Sequence, residues 1–364
     1  MTMVAGAECA RKPEVFFASR EDLDSFDKLF ASLGLAELFP KGGRIAVKLH
    51  MGEAYSKYIV KPVFAARAVE LLKRDGFKPF LTDTTTLYDA GRSDEGKYLR
   101  TAAGNGFTSK AMHGAGIVIA DGNGDEETVR QLQNFLLMKT VRIARAFAEG
   151  CDGMLVLTHV KGHAQTGMGG AIKNVGMGCV SKKGKEDMHE ACAPIFNAEC
   201  CTGCGECLKV CPMRKALSLD ERAGKIVFND DACIRCGSCS RVCPNKAMTL
   251  EGPDPSIVFQ RRLADATLAI HDALSGRIAG INFVRDVTWL CDCCRPTRMI
   301  APDVGVFASR DIVALDQASY DGVARAAGRD AFLEETTVEG EVQMSSAQAL
   351  GIGKRDYELK NVFH

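Results

Sequence analysis

The sequence contains no run approaching the roughly 18 consecutive apolar residues that span a bilayer, so nothing in it argues for a membrane role. It carries no net charge, with 46 basic residues against 46 acidic ones, which excludes a broad basic surface for nucleic acid and an acidic tail. The first 13 residues hold Glu8, Arg11 and Lys12 and lack the apolar core of a signal peptide, which predicts a cytoplasmic protein. Low-complexity tracts are absent. So are a Gly-Lys-Ser/Thr or Gly-x-Gly-x-x-Gly turn placed to bind a nucleotide.

What the chain has in excess is cysteine, 16 in 364 residues. A protein of this length has enough core to do without disulfide staples, and most of these cysteines are bunched. That pattern predicts metal or cluster ligation in a reducing compartment.

Six β-rich runs (44–50, 77–85, 116–122, 152–160, 281–288 and 303–309) are interleaved with helical patterns. The stretch 19–35 opens with Ser-x-x-Asp and repeats Leu23, Phe26, Leu29, Phe30 and Leu33 at helical spacing. The stretch 61–75 places Pro62 at a first helical position and stops at Gly76. Residues 139–149 and 254–274 read as further amphipathic helices. Strands alternating with helices predict an α/β body, a mostly parallel sheet covered on both faces. The segment 193–252 breaks the rhythm: it holds nine of the cysteines and no long apolar run. The chain therefore divides into 1–192 as the first part of the body, 193–252 as a small α+β module, and 253–364 as the second part.

Within the module, Cys201-x-x-Cys204-x-x-Cys207-x-x-x-Cys211-Pro212 repeats 32 residues later as Cys233-x-x-Cys236-x-x-Cys239-x-x-x-Cys243-Pro244. Three thiolates so spaced wrap one face of an iron–sulfur cubane, and in two-cluster ferredoxins the fourth crosses to the other cluster. This rule assigns one 4Fe–4S cluster to Cys201, Cys204, Cys207 and Cys243, and the second to Cys233, Cys236, Cys239 and Cys211. Gly203 or Gly205, and Gly237, let the chain bend around the clusters. Zinc sites also use paired cysteines, but do not require three evenly spaced ones with a fourth before proline, twice.

A second informative stretch follows the run at 152–160: Thr158-His159-Val160-Lys161-Gly162-His163, then Gly167, Gly169, Gly170 and Lys173. A strand end entering a glycine-rich loop is where open α/β sheets bind ligands. Lys161, Lys173 and the three glycines would hold an anionic small molecule, and His159 and His163 would move protons; the alternative is a tight turn with two hydrogen-bonded histidines. Asp83, in Thr82-Asp83-Thr84, and the carboxylate of His50-x-Gly52-Glu53 sit at strand ends, either as acid–base groups or metal ligands or as caps of the following helices. Cys291, Cys293 and Cys294, joined by Cys179 or Cys192, would form a third iron–sulfur cluster or another metal site, the alternatives being reduced thiols or a redox dithiol.

Residues 48–53, 80–88 (FLTDTTTLY), 158–179, the double cysteine run and 291–316, in this order, resemble an uncharacterised prokaryotic family of iron–sulfur centre proteins, Domain of Unknown Function family 362. The resemblance covers about 13–354. It implies an α/β body carrying a bacterial-type two-cluster ferredoxin module, typically in anaerobes, and supplies no reaction. The resulting expectation is a cytoplasmic redox protein whose clusters exchange low-potential electrons with a substrate or metal site on the body, served by an electron-donor or acceptor protein. The alternatives are a dedicated electron carrier for a partner reductase, and a metallocofactor assembly or delivery protein.

Overall fold

The run Arg44–Leu49 shows how the fold is built: Ala46 enters one apolar cluster while Ile45, Val47 and Leu49 enter another. The strand Gly153–His159 behaves alike, with Met154 and Val156 on the first face and Leu155 and Leu157 on the second. Strands that bury both faces belong to the centre of a sheet covered on both sides.

The computed structural model describes residues 11–363 apart from 55, 191–192, 212, 214, 236 and 292–297. Cys192, Cys236, Cys293 and Cys294 thus lie outside the described residues. The main sheet has eight strands: β1 (Glu14–Ala18), β2 (Arg44–Leu49), β3 (Lys78–Asp83), β4 (Ile117–Ile119), β5 (Gly153–His159), β6 (Ile278–Val284), β7 (Gly305–Ser309) and β8 (Glu358–Asn361). Their order is β8-β1-β7-β6-β5-β2-β3-β4. The β6-β5-β2-β3-β4 block is parallel, as is β1 with β8, while β7 runs antiparallel to both its neighbours. The α/β class and mostly parallel sheet expected from the sequence are present.

Helices α1 (Leu23–Ser32) and α2 (Pro62–Arg74) pack Phe26, Leu29, Phe64 and Val69 onto one face. On the other lie α4 (Ala171–Gly176), α6 (Pro255–Ala273) and α7 (Ile312–Ala327) with Ile172, Leu263 and Leu315; α3 (Glu95–Gly104) and α5 (Lys182–His189) complete the elements that concern the site. Among the described residues no helix is long and apolar enough to cross a membrane.

Three local expectations are corrected. The helix expected over 19–35 starts at Leu23, because the Asp22 carboxylate, not Ser19, accepts the Ser25 amide (2.8 Å). It stops at Ser32, just before Gly34 at φ +54°. The helix expected over 139–149 is a strand, Thr140–Ala144, followed by a single turn, Arg145–Glu149, since β-branched Thr140, Val141 and Ile143 pair with Glu127–Gln131. Strand β1, only five residues long, and the mostly polar edge strand β8 escaped the pattern.

The segment 193–252 contributes nothing to the main sheet. Ala193–Phe196 pairs antiparallel with Met248–Glu251, a hairpin joins Leu217–Asp220 to Lys225–Phe228, and two short helices follow the cysteine loops, Glu206–Val210 and Ser238–Val242. It has its own small core of Cys207, Leu217, Ile226, Cys239 and Met248.

Candidate functional site

Leaving β2, the chain moves outward to β3 and β4 and then returns to pair β5 on the other side of β2. Strand order reverses at this point, so the loops after β2 and β5 part and leave a crevice at their carboxyl ends. A cavity of about 230 Å³ occupies that crevice. Lys48 and His50 reach it from β2, Asp83 from the end of β3, His159 from the end of β5, and Lys173 and Asn174 from α4. Lys185 and His189 enter from α5, Arg92 from the loop before α3, and Phe259 from α6. Five Lys or Arg side chains and four histidines face a single carboxylate, Asp83, so the wall is strongly electropositive.

Most of these cations are held by the protein. Lys48 is buried and places its ammonium 2.8 Å from Asp83 Oδ1 and 2.6 Å from Asn174 Oδ1. Asn174 in turn donates to Leu157 O and Thr158 Oγ1, tying α4 to β5. The Tyr98 hydroxyl donates to Asp83 Oδ2. Burial pushes Asp83 up, but Lys48, Arg92 and His50 outweigh it and hold the carboxyl below its usual range. Asp83 is therefore neither a helix cap nor a base poised near neutrality. It is an ionised anchor, and α3 is capped by Asp94 instead. Arg92 donates to Glu53 (2.7 Å) and to the Tyr88 hydroxyl (2.6 Å), which itself donates to Glu53. Lys185 donates to Thr84 Oγ1 (2.8 Å) and Val180 O (2.5 Å); burial pushes its ammonium down to about 8 despite the nearby Asp121 charge.

The histidine–glycine stretch is a small β-hairpin, Lys161–His163 against Gly167–Gly169. His159 donates from Nε2 to Arg285 O (2.7 Å). His163 Nδ1 accepts the Gln165 amide (3.2 Å), and burial, then Lys173, His189 and Lys161, keep its ring neutral. Lys161 reaches Tyr58 O (3.3 Å). Lys173, at half-buried depth, makes no hydrogen bond or ion pair among the described residues. Burial, then Lys161, Arg92 and Lys48, push it down to about 8.

Gly169 and Gly170 line the cavity, whereas Gly167, at φ +64°, turns the hairpin against Val338 and Gly340. Gly170 is required by Asp316: a Cβ there would stand 2.4 Å from Oδ1. That carboxylate accepts the amides of Ala171 and Ile172.

The sequence reading missed Lys48, Arg92, Lys185 and His189. A lysine inside the otherwise apolar strand Arg44–Leu49 was a usable signal for the first. The others enter from segments whose pattern is ordinary, and only the fold brings them in.

Of the remaining cysteines, Cys179 is fully buried in the large apolar cluster and burial pushes its thiol well up. Cys291 lines the cavity and is disulfide-bonded. Within 193–252 the cysteines sort themselves around two small voids of about 20 Å³ each: Cys201, Cys204, Cys207 and Cys243 line one, and Cys211, Cys233 and Cys239 the other. Gly203, Gly205 and Gly237 take φ of +69°, +75° and +73°, turning the loops as a bend at these positions requires. Backbone amides donate to sulfur: Ile226 to Cys201, Arg235 to Cys233 and Ala247 to Cys243. Among the described residues no three ligands converge closely enough for a single ion. Ile234 lines both the second void and the large cavity. Arg241 donates to Ala164 O across the same boundary.

Residues 45–321 match the family described as a domain of unknown function, DUF362, and the chain belongs to it. No curated protein matches the chain. Among solved structures it is similar to the lactate racemase apoprotein from Thermoanaerobacterium thermosaccharolyticum, at 13% identity and a TM-score of 0.37, over 75% of this chain and 51% of that one. It is also similar to a Thermotoga maritima protein at 11% identity and a TM-score of 0.39, over 86% and 59%. The chain thus spans just over half the length of each.

Proposed function

We propose that the protein is an iron–sulfur redox protein. Its 193–252 module, of bacterial two-cluster ferredoxin type, would hold two 4Fe–4S clusters that exchange electrons with a small anionic molecule in the cationic cavity. One observation supports this reading: among the described residues Cys243 lines a void with Cys201, Cys204 and Cys207, and Cys211 lines another with Cys233 and Cys239, the grouping expected of crossed cubane ligands. A zinc pair gives no reason for that exchange between runs. Amides that donate to sulfur and glycine turns at Gly203, Gly205 and Gly237 fit inorganic clusters, whose potential such hydrogen bonds tune.

Ile234 supports an enzyme over a dedicated carrier. It leaves one side chain between the second cysteine set and a built cavity, where a carrier needs only an exposed cluster. The body's residues would then bind and orient the molecule, with His163 and His159 as the groups nearest to moving a proton, and an electron-donor or acceptor protein would serve the outer cluster. No step of this reading needs a third centre, and Cys179 lies fully buried in the large apolar cluster.

The test is anaerobic purification with iron, sulfide and zinc counted per chain. About eight irons and eight sulfides are expected. Stoichiometric zinc with little iron would overturn the reading.

A further inference from the structure

We propose that the molecule held in the cavity is a small apolar monocarboxylate, its carboxylate seated at Lys173 between His163 and His189. This deepens the reading above, since it names what that same cavity takes.

The charge pattern singles out the place. Lys48 has Asp83 at 2.8 Å, Arg92 has Glu53 at 2.7 Å, and Lys185 is tied to Thr84 and Val180 with Asp121 near. Lys161 donates to the Tyr58 carbonyl. Of the lysines and arginines in this wall, Lys173 alone has no hydrogen bond or ion pair among the described residues, yet its stem lies along Gly169 and it lines the cavity. A burial of this depth without a counter-ion is costly, and an anion supplied by a ligand removes the cost.

The neighbours are donors that suit a carboxylate. His163 uses Nδ1 to accept the Gln165 amide, so its proton sits on Nε2 and is available to donate. His189 stacks on Phe259 with ring centroids 4.7 Å apart, and its buried Nδ1 has no partner among the described residues. Both rings lie within the field of Lys173, and burial keeps each neutral. One ammonium flanked by two neutral rings matches a single negative charge. A phosphate, polar over its whole surface, would leave the apolar part of the lining without a partner.

The rest of the wall fixes the body of the ligand. Ile59, Val60, Leu157, Met177 and Phe259 add apolar surface to the same lining. The volume of about 230 Å³ falls below the roughly 300–1,000 Å³ of pockets for drug-sized ligands. An aryl or short acyl carboxylate fits these limits, and a nucleotide does not.

The experiment is calorimetric titration of benzoate, acetate and inorganic phosphate into the anaerobically purified holoprotein, with iron counted on the same sample. One benzoate per chain is expected, tighter than acetate, and unaffected by phosphate at equal concentration. Lys173→Gln should weaken benzoate at least tenfold with the iron count unchanged, and Lys173→Arg should retain most of it. No benzoate binding to iron-replete protein, equal affinity in Lys173→Gln, or displacement by phosphate would each overturn the assignment. Should Lys173→Gln not fold, the wild-type titration against pH decides. Affinity must fall once the pH passes the range where the Lys173 ammonium loses its proton, and flat affinity there overturns the proposal. Failure of the redox reading is distinguishable, because it shows in the iron count whatever benzoate does.

Discussion

The ammonium of Lys48 stands 2.8 Å from Asp83 Oδ1, and both side chains are almost wholly buried. The pair joins the ends of two adjacent parallel strands, β2 and β3, and both residues line the cavity at the carboxyl end of the sheet.

Removing one partner strands the other charge in the interior. Lys48→Met or Asp83→Asn should each cost about 3–5 kcal/mol of unfolding free energy in denaturant titrations. The double variant should recover much of that loss, because no orphaned charge remains. The pH sign follows from Asp83, whose folded carboxyl lies below its ordinary value. Its stabilisation is complete above the unfolded value of about 3.9 and is lost as the pH falls through the lower folded value. Wild type should therefore lose stability in that acid window, and Asp83→Asn should lose less.

The affinity of benzoate should fall with rising pH. Burial pushes Lys173 down to about 8, with Lys161, Arg92 and Lys48 also opposing its charge, Asp83 favouring it, and His163 and His189 held neutral. A bound carboxylate favours the ammonium, so binding takes up a proton above about pH 8 and each further unit of pH should cost roughly tenfold in affinity. Titrations in two buffers of different ionisation enthalpy would report that proton; equal apparent enthalpies above pH 8 would exclude Lys173 as its acceptor.

Gly170 stands directly against the Asp316 carboxylate. Gly170→Ala brings a methyl to 2.4 Å from Oδ1 and should destabilise the protein by about 1–3 kcal/mol, read as a lower thermal midpoint. Because Asp316 also accepts Asn282 Nδ2 (2.7 Å), the damage should spread to β6, visible as faster amide exchange there.

Thinning the wall at Ile234 should expose the second cluster. Ile234→Ala is expected to keep about eight irons per chain and to lose its visible absorbance in air several times faster than wild type. Unchanged air sensitivity would mean that this side chain does not separate the cluster from the cavity.

The parallel block and both helical layers were legible because each central strand alternates its apolar residues between two faces, as Ile45, Ala46 and Val47 do. The hairpin at Lys161–His163 was not, since His159 and His163 at a spacing of four read equally well as a helical face or a loop, and the choice rests on Gly167 meeting Gly340 from a distant part of the chain. The two cysteine runs were visible from local spacing, whereas the placing of Cys243 beside Cys201, Cys204 and Cys207 depends on how the segment folds back on itself. The cavity was legible only along its one glycine-rich edge. Lys185, Arg92 and His189 come from segments with no local mark, and their convergence depends on strand order, which no single stretch encodes.

The antiparallel pairing of Ala193–Phe196 with Met248–Glu251 means that the cysteine-bearing segment leaves and re-enters the body side by side. No residue of the two large apolar clusters lies between those strands. Evolution could therefore exchange, trim or transplant that segment as a cassette, closing the gap with a short turn, while the eight-stranded body went on folding. A relative so trimmed would keep the cationic pocket but lose its lid at Ile234. It would be a receptor for the same anion with no wiring attached.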